Sequence, residues 1–232
     1  MSFKFSKWAL PMMLLTATST FAMHGGKTSA GARISYHNMT LQGNGQTNIG
    51  AVGSRDYTNT FGGVGGDLFI AHEKMIRDGD YCAGGEFFIG ARTTDTGSMT
   101  HLVAGTNIAT TVKQDYSFGG RFKFGKPIGS GVTLYGTLGV MASSFTINNT
   151  GNSTPATPGD SVRKTLLGVS PGLGVKVQLT HNWCYHIDGS YTFYDSFKAD
   201  LARGNAGGAA NFYNLKLRPR EAGISFGFSR TL

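Results

Sequence analysis

Eight stretches of the chain alternate apolar with small or polar residues, and the joints between them alternate between very short and long. The short joints are Arg77–Asp80, Gly129–Gly131 and His181–Trp183. The long ones run over Gln42–Asn59, Thr94–Thr110, Asn149–Lys164 and Leu201–Asn211. A period of two excludes amphipathic helices, which need apolar spacings of three and four. Strands that pass up and down through one layer, with tight turns on one side and loops on the other, produce this rhythm.

The two parities of each segment differ sharply. In the fifth, Val132, Leu134, Leu138, Val140 and Ala142 oppose Thr133, Tyr135, Thr137 and Gly139. In the fourth, Tyr116, Phe118, Phe122 and Phe124 oppose Asp115, Ser117, Arg121 and Lys123. In the seventh, Tyr185, Ile187, Tyr191 and Phe193 oppose His186, Asp188, Ser190 and Thr192. The first is weakest, with Ala32, Ile34 and Tyr36 against Arg33, Ser35 and His37. No charged residue falls in the apolar sets of the eight segments. A soluble sandwich also sorts charge, but it needs charges, prolines or bulges to protect its edges. A cation facing mid-bilayer costs about 2–4 kcal/mol, so an uncharged parity on every strand is what a lipid-facing wall requires.

These features predict an all-β fold: a membrane-spanning antiparallel up-and-down β-barrel of eight strands with a side-chain-filled interior. Mean hydropathy is only −0.13, which is compatible because every second strand residue avoids lipid. Glycine, at 35 of 232 residues, relieves crowding where inward side chains converge. Residues 1–22 read as a signal peptide and 23–232 as the barrel domain. Lys4 and Lys7 give the basic start, Trp8–Leu15 the apolar run, and Thr20-Phe21-Ala22 the small-x-small site. Cleavage after Ala22 takes the formal charge from +8 to +6.

Cys82 and Cys184 fall on the third and seventh strands, on opposite walls, and are expected to be unpaired. Aromatic girdles are expected from Tyr81, Phe124, Tyr185 and Phe228 on the turn side, with Tyr116 and Phe197 on the loop side. Pro171 interrupts the sixth strand and predicts a bulge. Pro219 is expected where the last strand rises above the membrane.

The charged parity is expected to face inward. Asp67, Glu73, Glu86, Asp115, Asp188 and Glu221 stand against Arg33, Arg92, Arg121, Lys123 and Lys176, with His186. Near balance suits mutual neutralisation, because an unpaired buried charge is costly. Eight strands enclose room for little more than side chains.

The C-terminal run Glu221-Ala222-Gly223-Ile224-Ser225-Phe226-Gly227-Phe228 resembles the terminal-strand signal read by the outer-membrane assembly machinery, although Ser229–Leu232 follow it. Together with Gly62–Asp67 and Gly84–Gly90, the pattern of residues 27–232 resembles the OmpA/opacity-type eight-stranded outer-membrane surface proteins. That resemblance implies periplasmic termini, four extracellular loops and a barrel filled by side chains; the peptidoglycan-binding domain of full-length OmpA is not expected, because the chain stops with the barrel.

No catalytic, cofactor-binding or metal-binding residue is expected. His101 beside Ser98 and Thr100 is the one cluster suggestive of a lipid-modifying barrel enzyme, and it carries no signature of one. The histidines show no metal-ligand spacing. No cluster of cations with interleaved aromatics points to nucleic acid. Scattered cations (Lys27, Arg55, Lys113, Arg163, Lys164, Arg203) could meet lipopolysaccharide phosphates. The reading is a non-enzymatic barrel of the bacterial outer membrane whose loops serve contact, adhesion or envelope integrity, with host or cell-surface ligands conceivable. The alternatives are a narrow ion or small-solute channel, then a lipid-modifying enzyme. A soluble lipocalin-like binder is last, because its lumen should be apolar.

Overall fold

A computed structural model describes residues 26–47, 54–96, 99–103, 106–151, 161–203 and 211–232. The expected signal segment, 1–22, lies outside them. The strands are β1 (Lys27–Thr47), β2 (Ser54–Ile76), β3 (Tyr81–Asp95), β4 (Met99–Val103), β5 (Thr106–Gly129), β6 (Val132–Gly151), β7 (Ser161–Gln178), β8 (Trp183–Tyr194), β9 (Phe197–Arg203) and β10 (Asn211–Thr231). Antiparallel pairing runs β1-β2-β3-β5-β6-β7-β8-β10 and returns to β1, which closes the sheet. β4 continues the line of β3 along β5, and β9 continues that of β8 along β10. Among the described residues, ten strands therefore make eight staves, two of them broken.

The alternation read from the sequence is the alternation of faces. On β1, Arg33, Ser35 and His37 are buried, whereas Ile34 is 70 % exposed. Leu68, Ile89, Leu138 and Leu173 are likewise exposed on their strands, as are Phe122, Phe124, Phe226 and Phe228. A ring of exposed hydrocarbon this large is far beyond the patches that water-soluble monomers carry. It is the outer wall of a membrane-spanning barrel.

The start of β1, the C-terminus and the short turns share one end of the barrel: Leu232 N–H donates to Thr28 O, and Thr231 N–H to Asn182 O. Left-handed glycines make two of these turns, Gly79 at φ +99° and Gly131 at φ +85°. At this end Tyr81 stacks on Phe124 and Tyr185 leans on Phe228, with ring centroids 5.6 and 5.1 Å apart. The expected turn-side girdle is thus present. Towards the other end, Tyr116 is exposed on the wall as expected, and Tyr36, Tyr191 and Phe193 stand exposed with it.

Five sequence expectations need correction. Two of the long joints are mostly strand: β1 and β2 extend to Thr47 and from Ser54, and β4 and β5 occupy Met99–Val103 and Thr106 onward; residues 152–160 and 204–210 of the other two lie outside the described residues. β2 and β5 have 23 and 24 residues, roughly twice the 9–11 that cross a bilayer, so the wall continues well past the lipid. Phe197 is not on a girdle; it is 5 % exposed and packs inside. Asp115 is not in the lumen. The β5–β6 register shifts between Gln114 and Ser117, so Asp115 and Tyr116 no longer alternate across the wall, and the Asp115 carboxylate meets Thr146 and the exposed Arg163.

Pro171 makes no bulge. The β7–β8 register is the same on both sides of it, with two pairs missing between Val169–Phe193 and Gly172–Ser190. The absent donor opens the ladder locally, and Thr192 Oγ1 donates to Ser170 Oγ across the gap at 2.9 Å. Pro219 is fully buried and lies where β10 exchanges β8 for β9 as its neighbour. Its missing donor falls beside the break in that stave.

The last correction concerns the lumen, expected to be polar throughout. Its loop-side part is a hydrocarbon layer: Met39, Leu41, Val112, Met141, Phe145, Ile147, Leu166, Phe197 and Leu217, with Tyr194. Charged groups fill only the part below.

Candidate functional site: the barrel lumen

The turn-side lumen is built from short-range matches between facing strands. Arg33 on β1 lies opposite Asp67 on β2, and Glu86 on β3 opposite Arg121 on β5. Glu86 is the hub. Its carboxylate accepts from Arg33 Nη1 at 2.7 Å and Arg121 Nε at 2.8 Å, with Lys123 Nζ at 2.6 Å. Asp67 accepts from Arg33 Nε (3.0 Å) and Arg92 Nη1 (2.6 Å). Asp188 faces Arg121 Nη2 at 3.2 Å and accepts from Tyr135 Oη at 2.7 Å. Glu73 pairs with Lys176, and Lys123 lies 3.9 Å away.

With Asp115 removed to the outer wall, five lumen carboxylates (Asp67, Glu73, Glu86, Asp188, Glu221) stand against the five expected cations. Most of these ions are desolvated, the Glu73–Lys176 pair less than the rest, so neutralisation depends on these short charge-assisted contacts. Aromatic faces complete the layer: the Arg33 guanidinium lies over Phe69 and Phe88 at 5.1 and 5.2 Å. Glycine gives the carboxylates room. A Cβ at Gly90, the cross-strand partner of Asp67, would collide with the Asp67 carboxylate.

Sequence reasoning missed one constellation. Ser35 and His37 share the inward parity of β1, and Glu221 comes from neighbouring β10. His37 Nε2 is 2.6 Å from Ser35 Oγ, and His37 Nδ1 is 2.6 Å from Glu221 Oε1. Hydroxyl, imidazole and carboxylate in this order form a nucleophile relay in hydrolases. The surroundings argue for structure. Glu221 also accepts from Tyr194 Oη (2.8 Å) and Gln114 Nε2 (3.0 Å). The enclosing cavity, lined also by Arg33, Arg92 and Arg121, is about 50 Å³, well below the ~150 Å³ that takes up a single benzene ring. No acyl substrate fits. The signal available in the sequence was Ser35-x-His37 on an inward parity, but its carboxylate partner is 184 residues away, set by barrel closure alone.

His186, expected inward, is buried, with Nε2 2.7 Å from Ser229 Oγ. Among the described residues no group of three or more His, Cys, Asp or Glu could hold a metal ion. Ser98 and the side chains of Thr100 and His101 lie outside the described set. Cys82 and Cys184 are free thiols. Of the scattered cations, Lys113 pairs with Asp95 at 3.2 Å and Arg163 with Asp115; Lys164 Nζ donates to the Lys198 carbonyl at 2.7 Å.

No family model matches the sequence, and no curated protein does. Among solved structures, the outer-membrane protease OmpT of Escherichia coli superposes with a TM-score of 0.54 at 8 % identity, over 91 % of this chain and 100 % of that one. The fold is the eight-stranded outer-membrane β-barrel. The OmpA/opacity-type resemblance is consistent with it. OprG of Pseudomonas aeruginosa is also similar, at TM-score 0.41 and 14 % identity, over 87 % of this chain and 96 % of that one. Neisserial surface protein A gives 0.39 and 13 %, over 86 % and 97 %. At 8 % identity the likeness to OmpT speaks for the barrel and not for an activity.

Proposed function

We propose that this barrel is a non-enzymatic protein of the bacterial outer membrane that works through its loop-side end, in surface contact, adhesion or envelope integrity. One observation carries the reading: a self-neutralised charged layer is capped by a fully buried hydrocarbon layer, in which Leu41, Phe145, Ile147 and Leu217 have no exposure. Ions crossing this lumen would have to break buried pairs and then enter a dry apolar layer, which is prohibitive. Planar-bilayer recording of the refolded protein is expected to show no discrete openings. Reproducible unitary steps would replace this reading with the channel.

In the same reading residues 1–22 are removed on export, the termini and short turns face the periplasm, and the long loops face outward. The mature N-terminus read by sequencing would be Met23. The barrel would carry its own assembly signal, since β10, which contains Glu221–Phe228, is the strand that closes on β1. OmpT is a protease, so fold alone leaves enzymatic activity open. Matching lipid A and phospholipid profiles from cells with and without the protein would exclude the lipid-modifying alternative.

A further inference from the structure

Directly beyond the apolar wall, the outward faces of β9 and β10 collect cations. Lys198 on β9 is the cross-strand partner of Lys216 on β10, and Arg218 and Arg220 follow on the same outward parity of β10. Like charges placed directly opposite destabilise a sheet, and none of the four forms an ion pair among the described residues. The acidic residues bordering this face are Asp195, exposed in the break between β8 and β9, and Asp200, two positions beyond Lys198 on β9; the cations outnumber them and leave the group positive. On the β1 side the neighbours are uncharged: Thr40 faces Arg220 and Gln42 faces Arg218.

The position of the group narrows its partner. Arg220 is level with Phe193, whose ring packs on Tyr191 at 4.8 Å, and both rings are exposed at the top of the apolar wall. Below them the outward residues of β10 are Ala222, Ile224, Phe226 and Phe228. Outward residues two apart are spaced ~6.8 Å, so Lys216 to Arg220 spans about 14 Å. That reach matches a headgroup bearing more than one phosphate better than a single free phosphate.

We propose that this face is a binding site for the polyphosphorylated headgroup of a membrane glycolipid, its acyl chains lying on the Tyr191, Phe193 and Ile224 wall. The proposal rests on the membrane-barrel reading and on the loop end facing the glycolipid leaflet; it is independent of whether the barrel is an enzyme. The lipid supplies the counter-charge that the protein lacks.

The test uses the full mature chain, folded in detergent, with three probes: bisphosphorylated lipid A, its enzymatically dephosphorylated form, and heparin. Bound lipid is counted by native mass spectrometry, and folding is verified by heat-modifiable gel migration. Lipid A is expected to bind at least about tenfold more tightly than the dephosphorylated form. Lys198→Gln/Lys216→Gln/Arg218→Gln/Arg220→Gln should abolish that preference, and Arg218→Gln/Arg220→Gln, the milder variant, should reduce it. Lys74→Gln/Lys126→Gln at the turn end should leave it intact. Equal binding of both lipid A forms, unchanged binding by the variants, or stronger binding of heparin than of lipid A would overturn the proposal. Loss of heat-modifiable migration in the unaltered protein would instead defeat the barrel reading.

Discussion

The same staves build a lumen whose turn-side part is held by ion pairs and whose loop-side part is held by hydrocarbon. In the turn-side part each charged group is committed to named partners, and removing one strands the others in a low dielectric. In the loop-side part cohesion is spread over many weak contacts, none of them indispensable. The contrast follows from what lies outside the wall. Where the exterior is lipid-facing, the interior is the place left for charge. Beyond the lipid the exterior is polar again, as Thr40, Thr60 and Arg163 show, and the interior reverts to the apolar filling of a water-soluble protein.

The hub of the charged layer should give the largest effect. Glu86→Gln leaves Arg33, Arg121 and Lys123 short of a counter-charge, and breaking such a buried cluster costs about 3–5 kcal/mol. The expected outcome is a marked fall in the urea midpoint of refolded barrel, read by heat-modifiable migration. Pairing the change with Lys123→Met should restore part of the loss, since the two groups lie 2.6 Å apart. If the single and double variants behave alike, the layer is not organised around Glu86.

In the hydrocarbon layer, Leu217→Ala should cost about 2–4 kcal/mol through lost burial and a residual cavity. Here a partner change should add to the loss rather than relieve it. Leu217→Ala with Ile147→Val is expected to lose a further ~1 kcal/mol in the same assay. Rescue in the charged layer and additivity in the apolar one would establish the difference between them; rescue in both would erase it.

At the boundary, Gly223 faces His37 across the β1–β10 pair, and a Cβ there would lie 2.9 Å from His37 Nδ1. Gly223→Ala should push the imidazole off Glu221 at a cost of about 1–3 kcal/mol. The same variant discriminates the two meanings of the Ser35–His37–Glu221 contact. A structural role predicts lower stability with no change in Ser35 labelling by a fluorophosphonate, which should be undetectable both before and after. Labelling of the unaltered protein would revive the nucleophile.

The outer wall was legible because lipid punishes charge at every exposed position, which leaves a signal of period two on all eight segments. The lumen was legible by sign but not by layer. Phe145 and Ile147 continue the parity of Thr133, Tyr135 and Thr137, so their inward direction is encoded; Leu41 and Leu217 sit beyond the apolar wall, next to segments whose polar composition reads as loop. Polar strands above the membrane and true loops share Asn, Thr and Gly, and composition does not separate them. Partners such as His37 and Glu221 meet only because the last strand closes on the first. Asp115 misled for a local reason: a register shift depends on how three neighbouring strands are paired, and no residue in the run from Gln114 to Ser117 announces it.

That same register shift supplies the smallest effect. Arg163 and Asp115 pair at 3.2 Å, but the Arg163 side chain is 64 % exposed, and pairs of this kind contribute about 0–1 kcal/mol. Arg163→Ala should therefore leave the urea midpoint nearly unchanged. Thr146 continues to donate to the Asp115 carboxylate at 2.6 Å, so the acid keeps a partner when the guanidinium is gone. Were Asp115 inward instead, it would belong to the charged layer, and Asp115→Asn would then cost several kcal/mol as Glu86→Gln does. A difference of more than about 2 kcal/mol between Asp115→Asn and Glu86→Gln is expected because only the second carboxylate is enclosed by three cations with no water to replace it.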